Sequence, residues 1–118
     1  MKILGFNDSF VAAIVAGTKV HTIREGQRWR VGEVAHFCVR AHQPDQREFW
    51  WARPILAIQA IELTNNTMQI DGRLLAAPEL LALAQADGFP TTQGLFAFFA
   101  DKPLPFQGQL LHWTSCRY

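Results

Sequence analysis

Three residues within six positions carry groups that can do chemistry together: Lys19, Thr22 and Arg24 in the stretch GTKVHTIR at 17–24. An amine can take a proton once it has lost its own, a hydroxyl can attack a carbonyl, and a guanidinium stays charged and stabilises a developing oxyanion. Side chains alternate along an extended strand, so Thr22 and Arg24 share one face while Lys19 starts on the other. Gly17 is placed to end a preceding helix, and a bend there lets the long lysine stem curl back across the strand start. Taken alone, the pattern reads either as a convergent site or as a surface strand with ordinary charges.

Lys19 is the demanding member. A lysine with its ordinary pKa of ~10.4 loses its proton at pH 7 only at a cost of roughly 4.6 kcal/mol. A cation such as Arg24 about 4 Å away, and burial, both favour the neutral amine, whereas an ionised carboxylate opposes it. A protonated Lys19 would serve instead as an anchor for a phosphate or a carbonyl.

Other residues compete for attention. His21 lies between the motif residues and reads as packing or solvated, and Trp29 reads as a lid that stacks on a base or as a core residue. Glu62, at the end of a strand, is a second candidate carboxylate for the same cleft. His36, Cys38 and His42 are a thin metal set, because no second Cys or His pair stands at ligand spacing; neither metal nor cofactor is expected. His112-Trp113 reads as packing, and the pair Trp50-Trp51 suits contact with another protein in a regulatory module.

The elements that must position these residues follow from caps and breakers. Asn7 or Asp8 can cap a helix over about 8–16 that Gly17 stops, with Phe6 stapled against Val11. A strand is expected over 34–40, a loop through AHQPDQRE, and one long strand or two over 49–63 with an interruption near Pro54. Asp71-Gly72 signals a hairpin. APELLALAQADGF predicts a helix with Pro78 in its first turn and Gly88 beyond its end, which puts Asp87 at a helix C-terminus. Thr91 or Thr92 can cap a helix through LFAFFADK, and QLLHWT makes a closing strand. Strands and helices without regular βαβ alternation predict an α+β domain.

The 118 residues suffice for one domain spanning 1–118 and not for two, and a composition 49% hydrophobic and 18% charged is that of a globular chain. No apolar run reaches the roughly 20 residues of a membrane span, so a cytoplasmic protein with reduced Cys38 and Cys116 is expected. The net charge of +1 speaks against holding long nucleic acid by bulk electrostatics. The charge is uneven, however: residues 19–53 carry seven Lys and Arg against four Asp and Glu, interleaved with Trp29, Phe37, Phe49, Trp50 and Trp51. Such interleaving suits a nucleic-acid face, where cations meet phosphates and rings stack on bases, or a solvated basic face over a Trp-rich core.

The pattern G-x-K-x-x-T-I-R after a short helix, then V-G-E-V and a strand, then a helix ending in Asp-Gly-Phe and an aromatic-rich helix, resembles the ASCH family of small domains. The resemblance covers most of the chain except about 41–53 and the last residues. It implies a PUA-like β-barrel of about five or six strands with two or three flanking helices, and recognition of RNA or a nucleoside in the cleft lined by the motif strand. Around the motif the chain is similar to the branch that removes the acetyl group from N4-acetylcytidine. That similarity implies Lys19 as base, Thr22 as nucleophile, Arg24 as substrate-binding oxyanion stabiliser, and Asp87 as proton donor, where the branch has Glu. A non-catalytic RNA-binding module and an ASCH-type ribonuclease are the alternatives.

Overall fold

The computed structural model describes residues 1–118, arranged as three α-helices, one 3-10 turn and nine strands. The α+β expectation holds. The strands form two hydrogen-bonded sheets, and their number exceeds the five or six expected. Part of the excess is two-residue bridges, and part is an N-terminal strand whose sequence, Lys2–Phe6, carries no alternating signal of its own.

The smaller sheet is built on β3 (Val34–Val39), whose Ala35, Phe37 and Val39 point into the core. β1 (Lys2–Phe6) lies parallel to it, with Lys2 opposite Ala35 and Phe6 opposite Val39. The pairs β4 (Arg47–Glu48) and β5 (Arg53–Pro54) join β3 antiparallel. Phe6 thus closes a strand and stacks on Phe37 with ring centroids 5.5 Å apart.

The larger sheet has the order β2 (His21–Glu25), β9 (Phe106–His112), β6 (Ala57–Leu63), β7 (Met68–Ile70) and β8 (Arg73–Leu74), all antiparallel. Pro54 divides the 49–63 run between the sheets: β5 belongs to the smaller and β6 to the larger. Proline has no ladder donor to offer, so it ends pairing on one side before the chain crosses to the other.

Three helices complete the fold. The 3-10 turn Asp8–Phe10, capped by Asn7 Oδ1 accepting from Ser9 N at 3.0 Å, runs into α1 (Val11–Ala16). α2 (Ala77–Ala86) has Pro78 in its first turn and turns Leu80, Leu83 and Ala84 inward. α3 (Thr92–Phe98) is capped by Thr91, whose Oγ1 accepts from Gly94 N at 3.0 Å. One apolar cluster lies between α2, α3 and the larger sheet; a second gathers Ile14, Phe37, Trp29, Leu111 and Trp113 about β1 and β3. No helix is long and apolar enough to cross a membrane.

Candidate active site

The site forms where α1 hands over to β2. Gly17 adopts φ 83°, the left-handed conformation that glycine takes without a Cβ penalty, and its N–H returns to the last turn of α1. Thr18 and Lys19 N–H groups then both donate to Ala13 O, at 2.9 and 3.0 Å, while Val20 N donates to Ala86 O at 2.9 Å. The bend is therefore pinned to the end of α2, and Lys19 emerges facing Asp87.

Lys19 is 1% exposed. Its Nζ donates to His21 O at 2.9 Å and to the Asp87 backbone carbonyl, and stands 3.5 Å from Asp87 Oδ1. Three acceptors around one nitrogen match the three N–H bonds of an ammonium, so the resting lysine is a cation. The rings of Phe10 and Phe6, 4.8 and 5.9 Å from Nζ, add cation–π attraction. Burial nevertheless pulls the ammonium down to about 8, with Asp87 opposing the shift and Arg24 adding to it.

Gly88 makes this close approach possible. It has φ 98°, and a Cβ there would stand 3.0 Å from the Phe10 ring and 3.3 Å from Lys19 Cδ. A side chain at 88 would force the lysine stem away from the carboxylate beside it.

On the other face of β2, Arg24 Nη1 donates to Thr22 Oγ1 at 2.7 Å and to Ile23 O at 2.8 Å. Its Nη2 donates to Gly5 O, which ties β2 of the larger sheet to β1 of the smaller one. Burial lowers the guanidinium to about 10, against the pull of Asp87, so it stays charged at neutral pH. Thr22 is 3% exposed and its oxygen is already hydrogen-bonded by a cation, which favours negative charge on that oxygen.

Lys19, Thr22, Arg24 and Asp87 thus line one cavity of about 220 Å³, walled by aromatic rings such as Phe10 and Phe98. Two cations face one carboxylate there, leaving a surplus positive charge. No hydrogen bond joins Lys19 Nζ to Thr22 Oγ1; the two groups meet only across the cavity.

Two expected members lie elsewhere. Glu62 accepts from Gln107 Nε2 at 2.8 Å and lines a separate open groove of about 730 Å³, because β6 is two strands away from β2. Trp29 is 5% exposed and packs in the second core, with Lys2 Nζ 4.5 Å above its ring; it borders a neighbouring cavity, not the one holding Lys19. His36 bonds Glu48 at 3.3 Å, and no group of three His, Cys, Asp or Glu side chains gathers as a metal site.

Sequence reasoning missed His21 and Tyr118. His21 is fully buried; its Nδ1 is 2.7 Å from Asp87 Oδ1 and its Nε2 is 2.7 Å from the Tyr118 hydroxyl. A carboxylate only accepts, so Nδ1 carries the proton. The signal for His21 was its strand parity, shared with Lys19 and not with Thr22. For Tyr118, 97 residues away, there was none.

No family profile, no curated protein and no solved structure matches this chain.

Proposed function

We propose that the chain is an ASCH-like, PUA-related domain whose Lys19 cavity hydrolyses the N4-acyl amide of a modified cytidine. The observation that carries this reading is the convergence of Lys19, Thr22, Arg24 and Asp87 on one small cavity. The bond from Arg24 to Gly5 O ties the two sheets together beside that cavity.

In the reaction Thr22 Oγ attacks the acyl carbon while its proton passes to neutral Lys19. With the lysine at about 8, reaching the neutral form at pH 7 costs roughly 1 kcal/mol in place of roughly 5 for an unperturbed one. Arg24 stabilises charge first on the attacking oxygen and then on the tetrahedral oxyanion. The C–N bond breaks as the amine gains a proton from Asp87, which obtains it from Lys19 across the 3.5 Å contact. Water then cleaves the acyl-threonine ester, releasing the acid and restoring the hydroxyl.

A binding module is the second reading, favoured by the resting ammonium, which makes no contact with Thr22 and, with Arg24, gives the cavity a surplus positive charge suited to an anionic or carbonyl-bearing ligand. Incubation with N4-acetylcytidine separates the two. Release of cytidine above background, abolished in Thr22→Ala and in Lys19→Arg and within about twofold of wild type in Glu62→Gln, is expected of the enzyme. Absence of release by the wild type removes the amidohydrolase.

A further inference from the structure

Beside the Lys19 cavity lies a second one of about 460 Å³, and four residues, Ile23, Arg24, Phe98 and Phe99, border both. Phe98 is 53% exposed at this shared wall. The outer cavity also presents Arg28 and Lys102, two exposed cations with no salt-bridge partner, against the single carboxylate of Glu25. The inner cavity, at about 220 Å³, is smaller than the roughly 300–1,000 Å³ that encloses a whole drug-sized ligand. A ligand whose ring fills it must extend into a neighbouring cavity; the one beyond Gly5, Phe6 and Asn7 offers only Arg40, already paired with Asp8 and Asp45, so the unpaired cations lie on the outer side.

The segment carrying Arg28 is held in place from two sides. Lys2 Nζ donates to Arg28 O, and the Gln109 amide clasps the next residue, accepting from Trp29 N at 3.1 Å and donating to Trp29 O at 2.9 Å. Gln109 itself belongs to β9, which pairs with the motif strand, Gln109 opposite Arg24. The backbone that carries Arg28 is therefore set relative to Arg24 before any ligand arrives, which reduces the ordering cost of binding.

We infer that the outer cavity is a phosphate subsite: the ligand is a nucleotide whose base enters the Lys19 cavity, whose sugar passes Phe98, and whose phosphate meets Arg28 and Lys102. This rests on the nucleoside reading above and narrows its ligand from the free nucleoside to a phosphorylated one. The phosphate belongs to a mononucleotide or to an RNA strand, and the two are told apart by the choice of probe.

Calorimetry would compare cytidine with its 5′-monophosphate, its 3′-monophosphate and a short single-stranded oligocytidine. At least one phosphorylated probe is expected to bind about tenfold tighter than cytidine, with that ratio collapsing in the Arg28→Ala/Lys102→Ala double variant. Tightest binding by a mononucleotide or by the oligomer identifies the source. A ratio near one for every probe, a ratio that survives the double variant, or no binding by any probe overturns the inference. Hydrolysis of N4-acetylcytidine with no phosphate preference would remove the subsite and keep the amidohydrolase. Phosphate-dependent binding without hydrolysis would do the reverse.

Discussion

His21 donates from Nδ1 to Asp87 Oδ1 across 2.7 Å, and Lys19 Nζ approaches that same oxygen at 3.5 Å. One carboxylate oxygen therefore serves an imidazole and an ammonium, both buried, at the turn where α2 ends. Beyond the imidazole the chain of contacts continues to the Tyr118 hydroxyl, whose own ionisation burial pushes upward, so the phenol keeps its proton.

Removing the carboxylate charge tests this arrangement. Asp87 raises the Lys19 pKa, so Asp87→Asn should move it further below about 8. Leaving a buried ammonium without its counter-charge should also lower stability by about 3 kcal/mol. Nitrogen-15 titration of the lysine side chain and urea unfolding read the two effects. A Lys19 that titrates at or above its wild-type value in Asp87→Asn would show that the contact carries no electrostatic weight.

Lys19 also sets an alkaline signature. Its folded pKa of about 8 lies below its ordinary value of 10.5, so between these the unfolded chain binds more protons than the folded one. Unfolding free energy must then rise as pH climbs from about 8 toward 10, by up to roughly 3 kcal/mol over the whole interval. Tyr118, held protonated in the fold, acts oppositely above its ordinary pKa and ends the rise. Denaturant midpoints at pH 7, 8, 9 and 10 should show the climb in wild type and lack it in Lys19→Met. A flat wild-type curve would refute the buried cation.

His112 predicts an acid limb. Burial first, then His21 and Arg117, hold it down at about 4, with Asp87 and Asp71 opposing. Its Nε2 donates to Gln59 Oε1 at 2.9 Å, while its buried Nδ1 has no partner, as expected of a neutral ring. The folded state binds fewer protons than the unfolded between pH 4 and 6.5, so stability falls as pH drops through that window. The loss should be on the order of 2 kcal/mol by pH 4.5 and should shrink in His112→Phe, measured as thermal midpoints across the range.

Local chemistry was legible along the chain. Gly17 as a helix stop, Pro78 and Gly88 bracketing α2, Thr91 as a cap and Asp71-Gly72 between β7 and β8 all act through their own backbone preferences and their immediate neighbours. The shared face of Thr22 and Arg24 followed from strand alternation, and their 2.7 Å hydrogen bond realises it. The bend after Gly17 was legible too, because glycine's freedom there is a property of the residue itself; that it delivers Lys19 to the end of α2 depends on Val20 N donating to Ala86 O.

What lies outside this reach depends on partners distant in sequence. β1 becomes a strand because β3, more than 30 residues on, offers it a parallel ladder. Trp29 becomes a core residue because Gln109 clasps its backbone, and Glu62 leaves the site because β9 stands between β6 and β2. The charge state of Lys19 is the sharpest case. Lysine's chemistry allows both an ammonium and a base; burial at 1% exposure beside Asp87 and Arg24 selects a resting cation poised about one pH unit above neutrality. Desolvation is a property of packed surroundings, and no single stretch of sequence contains them.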